Sequence, residues 1–291
     1  MLFYLCILLY LPCVYSRVEM VNVDFEKIKS HPIPLSMRHN ISDDMLKYIV
    51  RDEWLKIVSQ CPELDPDANI KAEFDNTLIG TSTLAWASQT LLLKDISYWV
   101  PSIATLDFFG HDFMIGVNPQ PPNGWYTYEN CDSISYRYDL RTVLRHEILL
   151  GIGIGSSLKN NNGWTVGHNW NGICFPRYFD TLIVDSDGNK VVSGCTINKD
   201  ITGKNIYLNG VKIFNPSYYM EGSSMSHHVY EGELMYYMLP PMECIEIGDN
   251  EFKILSGLGL VCPGTVSYSS APVYVSPILL PISLMLLLFL L

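Results

Sequence analysis

An α+β fold is what this chain predicts, from a contrast between its two halves. The N-terminal half carries stretches with apolar residues at helical spacing, with strand-like apolar runs between them. The C-terminal half offers short apolar runs separated by Asn, Asp and Gly, the pattern of a β-rich and loop-rich lobe. Both are read directly along the 291 residues.

Residues 1–11 are almost wholly apolar, and Val14-Tyr15-Ser16 supplies small-residue cleavage chemistry before Arg17. A signal peptide over residues 1–16 is expected, although no lysine or arginine precedes the apolar run. About a dozen apolar residues are too few to span a bilayer. After a polar, proline-bearing lead (18–39), Ser42 reads as a helix N-cap followed by Asp43 and Asp44. Leu46, Ile49, Val50, Trp54, Ile57 and Val58 then recur at helical spacing up to Cys61. Residues 81–94 are expected as a second helix, and 103–109 and 112–117 as two strands broken by Gly110-His111. The proline-rich 118–124 must be a loop. Asp139 can cap a helix starting at Leu140, with Val143, Leu144, Ile148 and Leu149 or Leu150 on its buried stripe. Beyond it, 159–164 reads as an Asn/Gly loop. Residues 179–184 and 191–192 read as a hairpin around an Asp185-Ser186-Asp187-Gly188 turn, and 205–214 as another around Asn209-Gly210.

At the other end, 267–271 are small residues suited to a transamidase site, followed by a spacer and an apolar tract over 276–291. Together these describe a GPI-attachment signal over 267–291, with Ser269 favoured over Ser270 as the ω residue. A single-pass or tail-anchored helix is the alternative. Setting both ends aside leaves roughly 250 residues, enough for two packed lobes, expected over 17–157 and 158–266. Six cysteines remain between the ends: Cys61, Cys131, Cys174, Cys195, Cys244 and Cys262. An even count in a secreted chain points to disulfides. Proximity favours Cys174–Cys195 and Cys244–Cys262, leaving Cys61 for Cys131. Asn40-Ile41-Ser42 is a glycosylation sequon, whereas proline disqualifies Asn215-Pro216-Ser217. The formal net charge of −11 and the absence of basic clusters argue against nucleic-acid binding.

The chemistry concentrates in residues 138–157. His146 and Glu147 are followed by Leu150 and Gly153. Two histidines four apart on a helix aim both imidazoles at one metal ion, and an adjacent glutamate acts as general base on the bound water. Here Leu150 occupies the second histidine's place. Gly151, Gly153 and Gly155 imitate a nucleotide loop but lack its spacing. A second segment, Gly222-Ser223-Ser224-Met225-Ser226-His227-His228, leads into Gly232-Glu233-Leu234-Met235.

These two segments, over about 138–157 and 205–240, resemble the leishmanolysin family of metzincin zinc proteases. The first follows the H-E-x-x-H-x-x-G pattern except at Leu150. The resemblance implies a metzincin-like fold: an N-terminal lobe with a twisted sheet and helices, the His146 helix at the cleft floor, and an irregular β-containing C-terminal lobe. It implies zinc as cofactor, His146 and His227 as ligands, Glu147 as catalytic base and Met235 as the Met-turn methionine. Leu150 cannot coordinate, so the two histidines alone bind zinc weakly, since catalytic zinc takes three protein ligands and a water. His168 or His228 can serve as substitute ligand; His111 has no recognisable spacing.

Three functions compete. The leading one is a GPI-anchored, secreted leishmanolysin-like surface protein, a pseudoprotease with an impaired zinc site that binds an extracellular protein or peptide ligand or acts in adhesion. The second is an active zinc metallopeptidase using a substitute ligand. The third is a disulfide-stapled surface structural protein unrelated to proteases. A separation of His146 and His227 beyond about a dozen ångströms would favour the third, because zinc–nitrogen bonds are only about 2 Å long.

Overall fold

Helix α1, Asp43–Gln60, begins where its cap chemistry dictates: the Ser42 hydroxyl accepts from Met45 N at 3.1 Å, with Asp43 and Asp44 in the first turn. It buries Leu46, Ile49, Val50, Trp54 and Ile57, the expected apolar face. The computed structural model describes residues 20–22, 41–89, 91–94, 99–101, 112–131, 134–161, 163–170, 173–198 and 200–262. The signal peptide, the sequon at Asn40, the strand over 103–109, His111 and the tail with Ser269 lie outside the described residues. Among the described residues the architecture is mixed α+β, with several small sheets and four helices. None of those helices is long and apolar enough to cross a membrane.

The sheet beneath α1 is three-stranded, with Phe113–Val117 in the middle. Ile70–Phe74 pairs with it in parallel and Ala85–Gln89 antiparallel. Phe113, Ile115 and Val117 are fully buried, as expected of a central strand covered on its faces. The expected helix over 81–94 is not formed. Ala85–Gln89 joins this sheet, and Leu91–Lys94 pairs with Met20–Asn22 and Trp99–Pro101. Helical spacing of Leu84, Ala87 and Leu91 lost to ladder pairing, because tertiary partners outweigh weak local preference. Residues 118–124 are a loop, as expected; Asn118 ties it down through bonds from its Nδ2 to the carbonyls of Leu78 and Thr83.

Helix α2, Leu140–Ile152, runs through the middle of the molecule. Asp139 caps it by accepting from Thr142 N at 2.8 Å, and Gly153 closes it with φ +136. Every residue is buried except Leu150, which is half-buried against the core. Two buried arginines on this helix, Arg141 and Arg145, both pair with Glu53 of α1 at 2.8 and 2.6 Å. That ion group ties α1 to α2, although the Nε of Arg141 is buried without a hydrogen-bond partner.

In the C-terminal part, Asn209 and Gly210 (φ +46 and +80) turn Ile206–Leu208 onto Val211–Ile213, as expected of an Asn-Gly hairpin. The hairpin expected over 179–184 and 191–192 is reduced to one bridge, Val184 to Lys190, while Val192–Ser193 pairs instead with Thr196–Ile197. Residues Tyr178–Leu182 form one short helix, α3, because Asp180 accepts from Arg177 N at 2.9 Å and closes a turn. Strand pairing begins only at Val184, opposite Tyr207. Within the expected 159–164 loop, Lys159–Asn160 pairs with Trp164–Thr165 in a small hairpin. Helix α4, Asp249–Gly257, follows; its Glu251 accepts from Gly248 N at 2.9 Å, a carboxylate reaching back to the cap.

The disulfides are Cys61–Cys262, Cys131–Cys244 and Cys174–Cys195. The local pair is as expected, and the other two are corrected. Proximity in sequence failed because packing brings distant ends together. Thr142 Oγ1 accepts from Ile245 N and Arg137 O from Met242 N, which seats Cys244 beside the 131–137 loop. Likewise Glu63 accepts from Val261 N and seats Cys262 at the end of α1. One continuous buried core runs from Ile41 to Cys262.

Candidate metal centre

Position in the fold brings His146 and His227 together across 81 residues of chain. His146 projects from the middle of α2. His227 ends a loop held against the C-terminal hairpin: Phe214 N donates to His227 O at 2.7 Å and Met225 N to Phe214 O at 2.8 Å. The next residue, His228, bridges Ile213 on one side and Tyr236 on the other. The segment carrying Leu234 and Met235 is thereby laid beside the His227 loop, with His228 N donating to Met235 O at 3.0 Å.

The two imidazoles stack with ring centroids 5.0 Å apart, and their Nε2 atoms are 3.0 Å apart. Each Nδ1 meets a backbone carbonyl: Leu234 O at 2.7 Å for His146 and Ser223 O at 2.9 Å for His227. A carbonyl only accepts, so both Nδ1 atoms carry the proton and both Nε2 atoms present lone pairs. That is the orientation in which metal-binding histidines are held. Two lone pairs facing each other repel unless a cation lies between them. A proton is a poor one here, because burial drives His146 down to about 4 and His227 to about 3.

Glu147 is buried beside this pair in sequence, its Oε2 without a hydrogen-bond partner among the described residues. Burial lifts its carboxyl to about 8. At neutral pH it is therefore mostly a neutral acid and a poor base. Met235 is fully buried, next to the carbonyl that orients His146.

Among the described residues, no third His, Cys, Asp or Glu donor joins the pair within 4.8 Å. His228 is engaged elsewhere. Tyr230 N donates to its Nδ1 at 3.3 Å, so Nε2 carries the proton and donates to Glu251 at 2.8 Å. Glu233 Oε2 lies 3.4 Å from the same nitrogen. These three are the one such trio within 4.8 Å among the described residues, but the tautomer makes them a hydrogen-bonded network rather than a metal-ready set. Burial works to raise Glu251, yet bonds from His228 and from Met235 N outweigh it and hold the carboxyl below its usual range. The strand His168–Trp170 includes the other substitute position, and the His168 side chain lies outside the described residues. The described residues thus supply two of the three donors that a catalytic zinc site takes, and they do not fit a complete one.

The sequence did not single out Glu53, Glu251 or the two orienting carbonyls. For Glu251 a signal existed: Asp249, Asn250 and Glu251 after Gly248 form a helix-start pattern. Nothing local marks a carbonyl as an imidazole acceptor. Comparisons with protein-family models, with curated proteins and with solved structures find no match to this chain.

Proposed function

We propose that the chain is a leishmanolysin-like surface pseudoprotease: a metzincin-type scaffold whose zinc chemistry has lapsed and which serves as a binding or adhesion module for an extracellular peptide or protein. One observation carries this reading. His146 and His227 bring lone-paired Nε2 atoms to 3.0 Å with both Nδ1 atoms anchored, while Leu150 stands where a third ligand is needed. An unrelated structural protein has no reason to build such a pair, and a working peptidase has no reason to omit the third donor. The neutral Glu147 carboxyl supports the same reading, since a hydrolytic base must ionise.

In this proposal the chain travels the secretory pathway and is held at the cell membrane by a GPI anchor, with its disulfides matching an oxidising compartment. Elemental analysis of the purified ectodomain is expected to find clearly less than one zinc per chain, and peptide cleavage to be absent. Stoichiometric zinc, with cleavage that Glu147→Ala abolishes, overturns the proposal. Release from cells by a phosphatidylinositol-specific phospholipase is expected; persistent attachment points to a spanning helix instead.

A further inference from the structure

Among the described residues no carboxylate forms an ion pair with the guanidinium of Arg177, just before α3. Its Nε is buried without a hydrogen-bond partner, and no described residue accepts from Nη1 or Nη2. The side chain as a whole is partly buried, with Nε fully enclosed. The two buried arginines of α2 behave differently, both pairing with Glu53. Asp180 attracts Arg177 through space, but its oxygens are already occupied. They accept from the hydroxyls of Ser156 and Ser157, from Ser157 N, and from the backbone N–H of Arg177 itself. In a chain of net charge −11, this unanswered cation is a local exception.

Its place links it to the histidine centre. A Cβ on Gly155 would stand 3.1 Å from Arg177 Nη1, so the fork lies against backbone two residues beyond the α2 cap. The following residue, Ser156, donates its N–H to Ser226 Oγ at 3.0 Å, and Ser226 precedes His227. The end of the site helix, the His227 loop and the guanidinium therefore meet at one junction.

We propose that Arg177 is a recognition residue for a carboxylate of the peptide bound at this junction, an inference that rests on the reading of the chain as a peptide-binding module. Two coplanar carboxylate oxygens match two coplanar Nη–H donors, and such charge-assisted bonds are about twice as strong as neutral ones. The enclosed Nε holds the fork in place beforehand, so little side-chain freedom is lost on binding.

The test follows the Arg177 Nε–H resonance of the isotope-labelled chain, assigned by its loss in Arg177→Lys, during titration with acetate. A saturable shift that chloride at equal ionic strength does not produce is expected, with affinity at least about tenfold lower in Arg177→Gln. An unsaturable drift shared with chloride overturns the site, and because it is measured on the unmutated chain it holds even if a variant folds poorly. A second arm compares N-acetylated hexapeptides with free or amidated C-termini, and with Glu or Gln inside. Tighter binding of either acid identifies the carboxylate's source; equal binding of acid and neutral peptides, unchanged in Arg177→Gln, overturns the inference. Saturable acetate binding with no peptide binding leaves the carboxylate site standing and sinks the peptide-binding reading.

Discussion

Leu150 stands one helical turn beyond His146, half-buried and packed against the core. Replacing it with histidine removes apolar packing at a cost of about 1–2 kcal/mol and adds the missing donor. Leu150→His is expected to give tight binding of one zinc ion per chain by calorimetry; no gain would count against His146 and His227 as a zinc centre short of one donor. Glu147 gives a pH signature. Its folded pKa, about 8, is above the ordinary 4.5, so its contribution to stability is present below about 4.5 and is lost as pH rises through 8. The histidines run the other way. Their pKa values of about 4 and about 3 lie below 6.5, so their contribution is full above 6.5 and is lost as pH falls through 4 toward 3. In chelator, Glu147→Gln should therefore melt higher than wild type at alkaline pH, by a margin that shrinks toward pH 5. A margin independent of pH would count against a buried, unpaired carboxyl.

Among the elements, α2 decides the most, because it carries His146 while touching α1, the central sheet and the C-terminal segment. Gly151 is where it meets the sheet: a Cβ there would lie 2.4 Å from the Phe113 ring. Gly151→Ala gains about 1 kcal/mol in helix preference, but overpacking costs about 1–3 kcal/mol. Net destabilisation in urea unfolding is expected, and Phe113→Leu in the same chain should recover part of it. A simple stabilisation by Gly151→Ala would mean that the helix stands further from the sheet. The starts of α1 and α2 were legible because caps are local: Ser42 and Asp139 each act within a few residues. Residues 81–94 were not legible, because their ladder partners are as distant as Val117 and Met20.

At the scale of the whole molecule, Cys61–Cys262 closes a loop of 201 residues and Cys174–Cys195 one of 21. In the chain-entropy account these stabilise by about 5 and about 3 kcal/mol, because a longer closed loop restricts the unfolded chain more. Replacing Cys61 and Cys262 together by alanine should lower the urea midpoint more than replacing Cys174 and Cys195. The reverse order would mean that native packing, and not chain restriction, governs their contribution.

By itself the sequence determined the helix caps, the Asn209-Gly210 hairpin, the mixed α+β class and the presence of His146, Glu147 and His227 with Leu150 between them. These follow from residue types acting over short spans, where sterics and local hydrogen bonds decide. Tertiary structure alone decided how Cys61, Cys131, Cys244 and Cys262 pair, which backbone carbonyls fix the imidazole tautomers, that His228 donates to Glu251, and that Arg177 meets no anion among the described residues. Apart from the Ser223 carbonyl, four residues from His227, these depend on groups tens to hundreds of residues apart, and only packing determines which of them meet.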